Sequence, residues 1–138
     1  MSTEWKHGDY TISCDPERLD LGVVHGFLTT SYWALGVSED VVRRSIEHSL
    51  CFGVYDQESQ IGFARVITDR ATFAYLADVF ILEEHRGHGL GMWLIETIVA
   101  HPELSGLRRW ILVTSDAHDL YRKYGFTELR NPERFMER

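Results

Sequence analysis

Arg86-Gly-His-Gly-Leu-Gly91 gathers most of the chain's candidate chemistry into one short run. Glycines at 87, 89 and 91 allow positive φ and remove the side chains that would hold a ligand away from the backbone. The run sits between an apolar stretch ending at Leu82 and a helical apolar pattern starting at Leu90, so successive N–H groups and a helix N-terminus face one spot. Such a nest suits phosphate oxygens, and Arg86 adds charge-assisted hydrogen bonds. A P-loop would close with Gly-Lys-Ser/Thr, whereas Gly91 is followed by Met92. A dinucleotide fingerprint needs G-x-G-x-x-G after the first strand of a parallel unit; here G-x-G-x-G follows an antiparallel run. The remaining reading is a glycine-rich turn with no ligand. His85 and His88 lack a third ligand nearby, so no metal is expected. Cys14 and Cys51 form no metal spacing either, and read as small apolar core residues in a reducing compartment.

The charge balance narrows the partners. Fourteen Lys and Arg stand against 21 Asp and Glu in 138 residues, a net −7. That sum disfavours nucleic acid, whose backbone needs clustered cations, and fits a cationic small substrate drawn in by the mean field. Apolar residues at 44% and charged ones at 25% describe a globular chain of one domain, residues 1–138. No apolar run reaches the length of a membrane span, and the first ten residues lack an apolar signal core. A cytoplasmic protein without membrane contact is expected.

The elements that must position the loop follow from spacing. Tyr10 to Cys14 reads as a first strand. Asp15-Pro16-Glu17 opens a helix carried by Leu19, Val23, Val24 and Phe27, and Ser38-Glu39-Asp40 opens a second with Val41, Val42, Ile46 and Leu50. Three antiparallel strands follow: Cys51 to Tyr55, Ile61 to Ile67, and Thr72 to Leu82. After the glycine loop, Leu90, Trp93, Leu94, Thr97 and Ile98 form the buried stripe of a helix. Trp110 to Val113 is a short strand, Asp116 caps a last helix stopped by Gly125, and Phe126 to Leu129 returns as a final strand. This order describes an α+β fold with helices on the faces of a mostly antiparallel sheet.

Arg86-x-x-Gly89-x-Gly91 after a strand resembles the acetyl-CoA pyrophosphate loop of the GNAT superfamily of N-acetyltransferases. Asp116-Ala-His-Asp-Leu-Tyr-Arg-Lys-Tyr-Gly-Phe126 is similar to that superfamily's terminal signature, A-x-x-L-Y-x-x-x-G-F, through Ala117, Leu120, Tyr121, Gly125 and Phe126. The specific motifs cover Asp78 to Phe126, and the likeness in element order extends from about Tyr10 onward.

The resemblance implies a single domain whose sheet splays between the fourth and fifth strands, with residues 10–50 on the acceptor side and 51–138 binding cofactor. Acetyl-CoA would lie in the gap, its pantetheine along the backbone of Val79, Phe80 and Ile81. Its pyrophosphate would meet Arg86, Gly87, His88, Gly89, Leu90 and Gly91. Thr114 stands where many relatives carry Asn, and its hydroxyl takes that place. Tyr121 fits the general acid that protonates the departing thiolate, with Tyr124 on another helix face; alternatively Tyr121 is a core aromatic beside Phe126. Asp78, in an apolar strand beside the acetyl site, is a base, a substrate anchor or a structural pair. Tyr32 and Trp33 form the acceptor wall or belong to the core. The implied activity is acetyl transfer to a small primary amine by direct attack in a ternary complex, with no metal. Acetylation of a protein α-amino group or lysine, and a silent acyl-CoA-binding sensor module, remain open beside it. A homodimer is compatible with the family.

Overall fold

Alternating burial along short apolar segments builds a sheet that the computed structural model describes within residues 3–138. Its six strands lie side by side in chain order: β1 (Glu4–His7), β2 (Tyr10–Ser13), β3 (Leu50–Asp56), β4 (Ser59–Thr68), β5 (Phe73–Ile81) and β6 (Arg109–Leu112). β1 to β5 pair antiparallel, and β6 runs parallel to β5. The helices are α1 (Leu21–Leu28), α2 (Glu39–Glu47), α3 (Leu90–Val99) and α4 (His118–Arg122). The α+β class and the mostly antiparallel sheet read from the sequence are both present.

Period-two alternation splits the core in two. Phe52 and Val54 of β3 join Leu94, Ile95 and Ile98 of α3 and Tyr121 of α4 in one cluster. Cys51 of β3, Phe63 of β4 and Phe80 of β5 join Val24 and Leu28 of α1 and Val42 of α2 in the other. Phe27 stacks on Phe80 with ring centroids 4.1 Å apart, fixing α1 over β5. Both cysteines are free, and burial pushes each thiol up to about 12, consistent with their reading as small core residues.

Four expectations need correction. β1 was not expected, because Glu-Trp-Lys-His carries only one strongly apolar side chain; Trp5 holds the strand in place by packing on Phe52 and His101. Asp15 does cap a helical turn, but only the 3-10 turn Pro16–Arg18. Leu19 turns extended, and Asp20, whose own N–H is held by Gln60, caps α1 through the N–H of Val23. Asp116 does not cap α4: Thr114 accepts the N–H of Asp116 and of Ala117, leaving the Asp116 carboxylate free to face outward. Finally, Phe126 to Leu129 forms no strand. Phe126 is drawn inward onto Trp110 and Tyr121, and a groove of about 900 Å³ separates the following segment from β6.

Gly62 is the tightest point between β4 and β5. A Cβ there would stand 2.7 Å from Ile81 Cδ1 and 3.0 Å from the Phe80 carbonyl oxygen. Gly62→Ala should therefore lower stability by about 1–3 kcal/mol, although alanine normally suits a strand better than glycine. Urea denaturation showing equal or higher stability would refute this close approach.

Candidate active site

Two ladders that end at different places open a cleft beside β5. Pairing with β6 runs from Phe73 opposite Arg109 to Leu76 opposite Leu112 and goes no further. β5 itself continues to Ile81 along β4, with a register jump between Phe63 opposite Phe80 and Arg65 opposite Ala77. The extra residue is a bulge, and Asp78 takes it up at φ +55, a conformation aspartate tolerates better than most non-glycine residues. Beyond the bulge, Leu82 donates to Ile61 O at 2.7 Å. Antiparallel alternation then turns Phe80 toward β4 and the backbone groups of Val79 and Ile81 toward the open side. Of the three residues expected to run along a pantetheine chain, Val79 turns its backbone polar groups to the open side, Ile81 has its carbonyl on that side held by Arg86 Nε, and Phe80 gives its ring to the core.

The cleft measures about 630 Å³. Tyr32 and Trp33 wall it from the loop after α1, Val41 from α2, Val113 to Asp116 from the loop after β6, and Tyr121 from α4. Arg65, Asp78 and Val79 form part of its lining on the sheet. Tyr32, Trp33, Asp78, Val79, Thr114 and Tyr121, all singled out from the sequence, thus meet around one space. The glycine loop lies apart, at the end of β5.

Asp78 is fully engaged. Its Oδ1 accepts from Trp33 Nε1 at 2.9 Å and its Oδ2 from Arg65 Nε at 2.8 Å, while Arg65 Nη1 donates to Ser49 Oγ at 3.2 Å. Arg65 went unnoticed in the sequence. Its signal was a single cation in the apolar strand Ile61 to Ile67, set against a single carboxylate in the next strand. Trp33 and Tyr32 are not core residues: they are 42% and 61% exposed, packed edge to face with centroids 5.1 Å apart.

The two cleft tyrosines differ electrostatically. Tyr121 is 8% exposed, and burial, with smaller contributions from Tyr32 and Asp116, pushes its phenol up to about 12. It is therefore protonated at neutral pH, as a proton donor must be. Tyr32 moves the other way, lowered by hydrogen bonding to Ser115, first from its side chain and then from its N–H, which the Tyr32 oxygen accepts at 3.1 Å. Tyr124 donates its hydroxyl to Met92 O at 3.1 Å, which ties it to α3. The Thr114 hydroxyl is occupied by the N–H groups of Asp116 and Ala117.

The loop leading into α3 forms a backbone cradle. After the 3-10 turn Glu83–His85, Gly87 has φ +87 and Gly89 has φ +74, and no side chain caps the helix start. A Cβ on Gly87, Gly89 or Gly91 would meet nothing within 4 Å, so open space lies over the backbone. Arg86 anchors the turn by donating Nε to Ile81 O at 2.9 Å. His88 lies near Tyr10, with ring centroids 6.4 Å apart. Among the described residues no group of three His, Cys, Asp or Glu could hold a metal ion, and no helix is long and apolar enough to cross a membrane.

Residues 47–128, more than half of the chain, match the family described as the acetyltransferase (GNAT) domain. The chain belongs to the GNAT family. A candidate acetyltransferase of Gibberella zeae is 34% identical over 142 aligned positions, covering 86% of this chain and 79% of that protein. The crystal structure of a candidate GNAT acetyltransferase from Xanthomonas campestris pv. campestris is 49% identical, with a TM-score of 0.92 over 96% of this chain and 93% of that one. A candidate acetyltransferase from Clostridium acetobutylicum, in a crystal structure with acetyl-CoA, shares the fold at a TM-score of 0.67 and 14% identity, over 100% of this chain and 96% of that one. Acetyl-CoA, the family's acyl donor, fits the features present: an uncapped helix start under open space and an unpaired strand edge leading to the cleft.

The Tyr121 phenol gives a pH signature. The unfolded chain loses that proton near pH 10 and the folded chain near 12, so the stability it contributes is intact below pH 10 and is lost as pH rises toward 12. Tyr121→Phe should lose less stability than the parent between about pH 9 and about pH 11, read as urea midpoints. Equal losses in both proteins would place the Tyr121 hydroxyl in water.

Proposed function

We propose that this GNAT protein is an N-acetyltransferase that moves the acetyl group of acetyl-CoA to the primary amine of a small molecule, by direct attack in a ternary complex. The observation that carries the reading is the buried, protonated Tyr121 facing the cleft where the β5 edge comes free. A cleft of about 630 Å³ is of small-molecule size. Free cysteines, Cys51 buried and Cys14 half-buried, suit the cytoplasm, where thiols stay reduced.

Acetyl-CoA supplies an acyl carbon bonded to sulfur. The helix start at Leu90 to Met92 would hold its pyrophosphate with backbone N–H groups, and the free backbone groups of Val79 would hydrogen-bond the pantetheine as a neighbouring strand would. The Val79 N–H, turned to the open side, stabilises negative charge on the thioester oxygen. The neutral acceptor nitrogen would bond to the acyl carbon, the carbon–sulfur bond would break with its electron pair on sulfur, and the Tyr121 hydroxyl would donate its proton there. The surplus proton on nitrogen would then pass to water as the tyrosinate takes one back, leaving amide, CoA thiol and neutral Tyr121. The positive charge that develops on the nitrogen eases proton loss from a phenol that burial otherwise holds back.

Two substitutions test the reading. Gly91 has an ordinary helical φ and open space above it, so Gly91→Leu should keep or raise stability while blocking the pyrophosphate. Gly89 is a poorer probe, since its φ of +74 strains any side chain. Calorimetry should show acetyl-CoA affinity lost in folded Gly91→Leu; unchanged affinity would remove the cradle from the cofactor site. Tyr121→Phe should lower kcat by about 10²- to 10⁴-fold with KM for acetyl-CoA nearly unchanged. A variant with normal kcat would make Tyr121 a packing residue only.

A further inference from the structure

The acceptor wall is built for an apolar body. Of the large hydrophobic side chains exposed on the described surface, Tyr32, Trp33, Val41 and Val113 all border the cleft. Val113 is 78% exposed, directly after β6, with no packing reason for a valine there. Apolar side chains gathered around one concavity mark a recognition surface. Charge in the cleft is equally informative. Arg65 is the single cation among its lining residues, and its Nε and Nη1 are held by Asp78 and Ser49. No free cation there would receive a phosphate or carboxylate. Asp78 is neutralised in the same pair, which leaves Asp116, exposed at the rim, as the carboxylate that faces an incoming ammonium.

Resting on the acetyltransferase reading, we infer that the acceptor is a primary amine carried on an aromatic or branched apolar body, with Trp33 as the platform for that body. The indole is fixed at one edge by Asp78 and packs against Phe27 and Tyr32, with centroids 6.1 and 5.1 Å away, so its orientation is set before a ligand arrives. Such a face binds flat apolar groups with little ordering cost. Polyamines would leave distal ammonium groups against Val41 and Val113, and phosphorylated amino sugars would bring an anion with no partner. Asp78 acts here as a positioning residue, through Trp33.

The test follows CoA thiol release from acetyl-CoA with 2-phenylethylamine, isopentylamine, spermidine and glucosamine 6-phosphate as probes. kcat/KM for the two apolar amines should exceed that for the other two by about tenfold or more. Trp33→Ala should raise KM for 2-phenylethylamine by about tenfold with KM for acetyl-CoA unchanged, and Trp33→Phe, which keeps a ring but loses the hydrogen bond to Asp78, should recover only part of the loss. Val113→Asp, at a position too exposed to affect folding, should weaken 2-phenylethylamine and spare spermidine. Preference for spermidine or the sugar phosphate, equal losses for all acceptors, or acetyl-CoA binding without turnover of either apolar amine would overturn the acceptor class. Failure to bind acetyl-CoA in calorimetry would overturn the acetyltransferase reading itself.

Discussion

Everything at this site depends on β5 serving two ladders that stop at different residues. Its pairing with β6 ends at Leu76, while its pairing with β4 continues to Ile81 across the bulge at Asp78. The mismatch leaves one strand edge without a partner in the interior of the six-stranded sheet. A bulge of this kind needs a residue that accepts positive φ, and aspartate supplies that as well as a carboxylate to lock the distortion. The lock is a largely buried ion pair, 2.8 Å from Arg65 Nε, completed by the Trp33 indole. Removing either charge would leave the other buried and unpaired, a loss of about 3–5 kcal/mol. The cleft's shape is therefore tied to three side chains from β4, β5 and the loop after α1.

A division of labour follows. On the proposed function, the glycine loop and the β5 edge would recognise by backbone, through N–H and C=O groups whose positions the sheet and α3 fix. Such recognition needs little from side chains beyond their absence at Gly87, Gly89 and Gly91. The opposite wall recognises by side chain, from the α1–α2 loop and from Val113 to Asp116, where exchanging one residue alters the surface without disturbing a ladder. Tyr32 joins the two parts of that wall, since its hydroxyl oxygen accepts the Ser115 N–H.

The sequence was legible where one physical signal dominated. Period-two apolar runs gave β3 to β5, the Ser38 cap gave α2, and alternating glycines before an apolar stripe gave the cradle and α3. It was less legible where signals competed. Asp15 and Asp20 both offer helix caps five residues apart, and packing of Leu19 between them decides that α1 starts at the second. Phe126 to Leu129 has strand-like composition, yet burial of Phe126 against Trp110 and Tyr121 carries the chain away from β6. Asp78 was visible as an anomaly in an apolar strand, but a carboxylate's role depends on what its oxygens touch. Both partners, Arg65 and Trp33, lie far from it in sequence.

Those contacts also bear on the proton economy of the site. An acceptor arrives as an ammonium and must lose a proton before its nitrogen can attack. Both Asp78 oxygens accept hydrogen bonds from fixed partners, Trp33 Nε1 and Arg65 Nε, so the carboxylate is held within the pair that shapes the cleft. The opposing shifts of the two tyrosines fit the same logic. Tyr121 is buried, and Tyr32 stands exposed at the mouth, its oxygen already an acceptor. On the proposed mechanism, proton donation would belong to the buried end of the cleft, and the acceptor's proton would leave through the open end, where Tyr32 and Asp116 are both exposed.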